Sequence, residues 1–281
     1  MNAQRPIDAT TALVTGATDG LGRSVAIELA ERGATVLVHG RDPERGERTV
    51  AEIRERTGSD RVELHLADFA SLDEVRGLAE AVEASANELH VLINNAGIGT
   101  GLPESRERQE SLDGHELRFA VNYLAGFLLT ERLLPSLRSS APARLVNVAS
   151  LGQHPIDFDD PMITRGYSGA RAYSQSKLAQ IMQAIDVAES VPAPEVTANS
   201  LHPATFMPTK MVLEERGESL DSLELGTRAV VRLAVEPELD GITGRFFDRL
   251  DEAAAHPQAY DPQARAALRR LSEELVGARL S

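Results

Sequence analysis

Thr11-Ala12-Leu13-Val14-Thr15-Gly16-Ala17-Thr18-Asp19-Gly20-Leu21-Gly22 is the stretch whose reading decides the fold. Thr11 to Thr15 is a short, β-rich apolar run, which reads as a buried strand. The glycine cluster follows at once, and a helical pattern then runs from Arg23 to Arg32 and stops at Gly33, a C′-like position. Strand, glycine-rich turn and helix N-terminus together build an anion site, because free N–H groups and the positive end of the helix dipole face one ligand. Gly16 permits the tight turn, Gly20 lets backbone approach a pyrophosphate, and Gly22 lets helix pack on strand. An ordinary turn is also glycine-rich; the strand before it and the helix after it favour a dinucleotide site.

Outward from this stretch the same alternation continues. Thr35 to His39 reads as a second strand, Arg61 to Leu66 as a third, Val91 to Ile93 as a fourth, Arg144 to Ala149 as a fifth and Val196 to Leu201 as a sixth. Gly241 to Phe247 reads as a short last strand. Helical patterns separate them, with Asp42-Pro43 and Asp261-Pro262 as caps followed by a proline at the first helical position. Ser71 with Glu74 reads as a capping box over a helix to Ala86. The expectation is an α/β fold: a single-domain Rossmann-type, doubly wound parallel sheet of about seven strands with helices on both faces, spanning 1–281. Segments 152–170 and 206–217 are expected as a substrate loop and a lid, and 249–281 as a C-terminal helical tail.

Ligands of such a sheet bind at the strands' carboxyl ends. The end of the second strand selects the cofactor: a carboxylate there grips a ribose hydroxyl, and a basic residue accepts a 2′-phosphate. Gly40 and Arg41 occupy that turn, which favours NADP; Asp42, about 20 residues beyond Gly22, keeps NAD as the alternative, although it also reads as a helix cap. Arg45 is a second candidate for the phosphate. Asp68 closes the third strand, where adenine-edge contacts are made, and Asn94-Asn95-Ala96-Gly97 closes the fourth.

Tyr173-Ser174-Gln175-Ser176-Lys177 opens a helix to about Ser190, and residues four apart share a helix face. A phenol ionises near pH 10, and a neighbouring ammonium lowers that value towards working pH. Ser150, at the end of the fifth strand, is delivered to the same edge. Asn122 lies in an apolar helix from His115 to about Leu137, as a satisfied structural amide or as a contact near the site.

The bulk properties narrow the class. A net charge of −14 argues against nucleic acid or anionic membrane as partner, and the lack of cysteine removes disulfides and thiolate metal sites. Histidine spacing suggests no metal site. With no run long enough to span a bilayer and a short polar Met1–Pro6, a cytoplasmic location is expected.

Thr15-Gly16-x-x-x-Gly20-x-Gly22, Asn94-Asn95-Ala96-Gly97, Asn122, Ser150 and Tyr173 with Lys177, in this order, resemble the short-chain dehydrogenase/reductase family over nearly the whole chain. The Ala172–Ala179 wording, the long gap from Ser150 to Tyr173 and Leu271-Ser272-Glu273-Glu274-Leu275 resemble its retinol-dehydrogenase-like branch. The resemblance implies an NAD(P)-dependent oxidoreductase moving a hydride between nicotinamide and a carbonyl or alcohol of a small to medium substrate. It makes Tyr173 the acid/base, Lys177 its pKa-lowering partner and ribose anchor, Ser150 the holder of the substrate oxygen and Asn122 the anchor of a relay water. Implied cofactor contacts are Gly16, Thr18, Asp19, Gly20, Leu21, Gly22, Arg41, Asp68, Phe69, Asn95, Ala96, Gly97, Tyr173, Lys177, Pro203 and Thr205, with Asn94 on the adenosine side.

Three features depart from the family pattern. Asp19 stands where NADP-preferring relatives often carry a base, Ala204 replaces a glycine, and the 98–113 loop is charged. A dehydratase or epimerase on the same scaffold, or a cofactor-binding regulator, remains the alternative. Relatives pair through the helices here at 115–137 and 171–190, leaving a homodimer or homotetramer open; their apolar positions suit a core equally.

Overall fold

The computed structural model describes residues 5–100, 107–209, 212–213 and 217–277. Parts of the expected 98–113 loop, of the 206–217 lid and of the tail therefore lie outside the described residues. The strands are β1 (Thr11–Val14), β2 (Thr35–Gly40), β3 (Val62–Leu66), β4 (Val91–Asn94), β5 (Ala143–Val148), β6 (Val196–His202), β7 (Phe246–Asp248) and β8 (Asp251–Ala253). They form one sheet in the order β3-β2-β1-β4-β5-β6-β7-β8. All neighbours are parallel except β7 and β8, an antiparallel pair at the edge.

The order reverses beside β1, between the halves begun by β2 and β4, which opens a crevice at the carboxyl ends. Side chains alternate across the sheet. Leu13, Leu37, Leu92 and Leu145 pack against one helical layer, and Ala12, Val14, Val36, Val38 and Ile93 against the other. The first layer holds α3 (Leu72–Ser85), α5 (Ala125–Ser139) and α6 (Gly169–Ser190); the second holds α1 (Gly20–Glu31), α2 (Pro43–Thr57) and α7 (Leu223–Val235). A short α4 (Leu117–Phe119) precedes α5, and α8 (Pro262–Leu275) follows β8.

Several boundaries differ from the sequence expectation for local reasons. Helix α1 begins at Gly20 rather than Arg23, because the Asp19 carboxylate caps it by accepting the Gly20 N–H at 2.7 Å. The last expected strand shrinks to Phe246–Asp248, since Gly241 and Gly244 turn with φ of 76° and 72°. An eighth strand, Asp251–Ala253, opens what was expected to be a helical tail; its exposed, charged sequence carries no strand signal. Ser71 does cap α3, but Glu74 reaches the Asp68 N–H at 2.7 Å instead of completing the box. The expected single helix from His115 is interrupted by a π turn, Ala120–Leu124, that contains Asn122.

Of the apolar positions open to either a core or a partner, Leu134 is only partly buried. Leu128, Leu129, Leu133, Ile181, Met182 and Ile185 are all buried within the chain. Among the described residues no helix is long and apolar enough to cross a membrane.

Candidate active site

The glycine turn shows why each glycine is there. A methyl group on Gly22 would stand 2.3 Å from Gly16 O, and one on Gly16 (φ 64°) 2.8 Å from Ala96 Cα. Asn95 braces the turn from the end of β4: its Nδ2 donates to Thr15 O at 2.8 Å and Gly16 O at 3.3 Å, while its N–H donates to Thr15 Oγ1 at 2.9 Å. Leu21 and Ala17 sit in the core beneath.

A residue missed in the sequence, His39, supports the turn from β2. Its Nδ1 accepts the Gly16 N–H at 3.2 Å, and its Nε2 faces Ala67 O at 3.1 Å. A carbonyl only accepts, so Nε2 carries the proton and the ring is neutral. Burial pushes its pKa down to about 4. Phe69 stacks on this ring, centroids 4.4 Å apart, so its side chain belongs to the support of the crevice. Alternating strand residues gave no signal that His39 is structural.

At the end of β2, Gly40 packs against Thr18: a methyl group at 40 would lie 2.3 Å from Thr18 Cγ2. Asp42 caps α2 by accepting the Arg45 N–H at 3.1 Å, in line with its reading as a cap. Arg41 is 72% exposed, its nearest carboxylate oxygen (Asp68 Oδ2) 4.0 Å away. The Arg45 guanidinium lies 3.6 Å from Asp19 and 3.5 Å from Asp42. Asp68 also folds its own turn, accepting the Ala70 N–H at 2.9 Å.

On the other half of the crevice, two glycines show which side chains gather around them. A methyl group on Gly152 would stand 3.5 Å from Ser150 Oγ and 4.0 Å from Tyr173 Cε1; one on Gly97 would stand 3.2 Å from Asn122 Oδ1 and 3.7 Å from Lys177 Nζ. Strand β5, helix α6, the π turn and the loop after β4 thus converge. Ser150 Oγ accepts the Gly152 N–H at 3.0 Å, which leaves its own proton for another acceptor. Lys177 is buried; its Nζ donates to Val148 O at 2.8 Å and Gln180 Oε1 at 2.9 Å, and lies 5.6 Å from the Tyr173 ring centroid. Burial lowers its pKa to about 7.

Asn122 is fully engaged. Its Oδ1 accepts the Ile98 N–H at 2.8 Å, and its Nδ2 donates to Ile98 O at 3.1 Å and Ser176 Oγ at 3.0 Å. Ser176 in turn donates to Tyr173 O at 2.7 Å. The wide turn sits where the amide must leave the helix to meet this loop, and π turns concentrate at such sites. Asn94, by contrast, points away into the sheet, donating to Thr130 Oγ1 at 3.0 Å and Asn147 Oδ1 at 2.9 Å.

Two further clusters escaped the sequence. Buried Arg118 donates to Gly99 O and Thr100 O, each at 2.8 Å, and to Tyr167 Oη at 2.7 Å; Tyr167 donates to Glu116 Oε1 at 2.8 Å. Arg118 and Glu116, just beyond the 98–113 loop, therefore serve structure. Beyond β6, Pro203 and Ala204 are buried, and Thr205 Oγ1 meets His202 Nε2 at 3.0 Å and Arg249 Nη2 at 2.9 Å. Asp221 accepts from the Thr205 N–H and from Arg249, both at 2.7 Å, closing the base of the segment between them. Met207, expected in the lid, is buried against Gly226 instead. Thr209 lies over the glycine turn, 3.1 Å from where a Gly20 side chain would begin.

Known proteins resemble this chain in sequence and fold. A family model described as short chain dehydrogenase matches residues 10–219. Human retinol dehydrogenase 13 is 35% identical over 294 residues, covering 96% of this chain and 86% of its own. Mouse polyprenol dehydrogenase is 38% identical over 270 residues, covering 90% and 78%. Among solved structures, an uncharacterized protein from Mycobacterium paratuberculosis superposes with a TM-score of 0.78 at 30% identity, covering 97% of this chain and 95% of that one. A short chain dehydrogenase from Shigella flexneri complexed with NADP does so with a TM-score of 0.72 at 25% identity, covering 88% and 99%. The chain belongs to the short-chain dehydrogenase/reductase family, in its retinol-dehydrogenase-like branch, and is an NAD(P)-dependent oxidoreductase of alcohol and carbonyl groups.

Proposed function

We propose that the protein is an NADP(H)-dependent carbonyl reductase or alcohol dehydrogenase on small to medium organic substrates, with Tyr173, Lys177, Ser150 and Asn122 as its working set. The observation that carries this is that Ser150 Oγ and Tyr173 Cε1 lie within 4.0 Å of one point beside Gly152, and Asn122 Oδ1 and Lys177 Nζ within 3.7 Å of one point beside Gly97. The glycine turn suits a dinucleotide because it is tight: a side chain at Gly16 or Gly22 would strike Ala96 or the Gly16 carbonyl. NADP is favoured because Thr18 crowds any side chain at 40, Asp42 is committed to its cap, and Arg41 stands exposed at that turn. The Shigella relative is complexed with NADP.

When bound, the nicotinamide supplies the hydride chemistry. In the reducing direction, Ser150 donates its hydroxyl proton as a hydrogen bond to the carbonyl oxygen and so stabilises the charge developing there. Tyr173 transfers its phenolic proton to that oxygen, completing the alcohol. Lys177, desolvated and with a pKa near 7, favours the phenolate through its charge and returns a proton afterwards. A relay water anchored near Asn122 would reach Lys177 beside Gly97, where both side chains approach. The part of the expected 152–170 loop that precedes α6 supplies a substrate wall. The net charge of −14 argues against an anionic membrane surface or nucleic acid as partner.

The test compares Tyr173→Phe with wild type on a panel of aldehydes with NADPH. The chain has no tryptophan, so NADPH emission reports binding over little protein background. The variant is expected to bind NADPH like wild type and to lose turnover by about 100-fold or more; equal turnover overturns the assignment. Label from deuterated NADPH must accumulate in product, which separates this reading from a net-neutral dehydratase or epimerase.

A further inference from the structure

Gln258 lies beyond the residues matched by the family model, which end at 219, yet its side chain holds the loop that leaves Ser150. Its Oε1 accepts the Ile156 N–H at 2.6 Å, and its Nε2 donates to Ile156 O at 3.0 Å. One side-chain amide thus pairs both backbone groups of one residue, as a neighbouring strand would. Three residues earlier, Gln153 Nε2 donates to Ser150 O at 3.0 Å while its Oε1 accepts the His256 N–H at 2.6 Å. The loop also touches the catalytic helix, since the His154 N–H donates to Ser174 O at 3.2 Å. Between these ties Leu151 is exposed, whereas Ile156 is buried in the core.

Loop backbone of this kind has no ladder to hold it, so its path is set by whatever hydrogen bonds reach it. Here two glutamines supply four, and three of those four span about a hundred residues to the turn at 256–258. A displacement of Ser150 or of the wall beside it by an ångström is costly to a positioned reaction.

We propose that Gln258, acting with Gln153, is a positioning residue that sets the substrate wall next to Ser150, so that discrimination among substrates by size is governed from the 256–258 turn. This rests on the reading of Ser150 and Tyr173 as the reacting pair. Neither glutamine touches the reacting atoms; both act through the backbone of 150–156.

The experiment takes the full chain as wild type, Gln258→Ala and Gln258→Glu, which keeps the acceptor and loses the donor. Steady-state reduction of aldehydes of graded size with NADPH is combined with hydrogen–deuterium exchange over residues 151–158. For Gln258→Ala the expectation is a rise of about tenfold in KM for the bulkier aldehydes, with kcat within about threefold of wild type. NADPH affinity stays unchanged, exchange over 151–158 quickens, and Gln258→Glu falls between. Unchanged KM ratios across the panel overturn the proposal, whether or not exchange rises. If Gln258→Ala does not fold, Gln258→Glu decides by the same readings. If wild type reduces none of the aldehydes, the functional reading fails separately, and unchanged exchange in either variant then overturns the stitch itself.

Discussion

Lys177 Nζ stands 5.6 Å from the ring centroid of Tyr173, with Val148 O and Gln180 Oε1 accepting its protons. Burial takes its pKa from 10.5 to about 7, so the unfolded chain binds more protons than the folded one between those values. The folded state therefore carries a penalty that is complete below pH 7 and fades as pH rises towards 10. Lys177→Met removes that dependence. Circular-dichroism melts from pH 6.5 to 10 should show the variant losing ground to wild type as pH rises, by a few kcal/mol across the range. A pH-independent difference between the two would contradict a desolvated lysine.

His39 predicts the acid limb. Its folded pKa of about 4 lies below the 6.5 of the free side chain, so stability falls as pH drops from 6.5 towards 4 and the unfolded chain takes up a proton that the folded one refuses. His39→Leu abolishes this contribution but leaves Gly16 N–H and Ala67 O without the ring. At pH 7 the variant should be about 1–3 kcal/mol less stable by urea unfolding. NADPH should also bind more weakly, because the glycine turn loses its brace. The wild-type advantage should narrow between pH 6.5 and 4.

Gly40 and Thr18 make a cofactor switch a two-residue problem. A methyl group at 40 would lie 2.3 Å from Thr18 Cγ2, so Gly40→Ala should cost about 1–3 kcal/mol. Thr18→Ala should recover much of that loss, giving a coupling energy above about 1 kcal/mol in a double-mutant cycle. Gly40→Asp alone should not confer a preference for NADH; paired with Thr18→Ala it should. Fluorescence titrations with NADH and NADPH read the outcome, and additive stability effects would refute the packing argument.

Much of this molecule was legible along the chain. The strand before Gly16, the caps at Asp42 and Asp261, and the alternation of apolar strands with helices are properties of neighbouring residues, so they can be read in order. The gathering of Ser150, Tyr173, Lys177 and Asn122 follows once the strand order is known, because each sits at or faces a carboxyl end. Boundaries were less legible, since Asp19 draws the start of α1 back by three residues and Asn122 widens its own turn.

Tertiary structure alone decided how the site is supported. Gln258 and Ile156 are 102 residues apart, Arg249 and Thr205 are 44 apart, and His39 reaches back 23 residues to Gly16. None of these pairs shares a helix face or a strand register, so no period in the sequence announces them. The chain by itself determined the sheet, the glycine turn and the Tyr173–Lys177 spacing, because hydrophobic period, capping and helix geometry are local. Which polar side chains brace that machinery was settled only when folding brought distant backbone groups out of water and required partners for them.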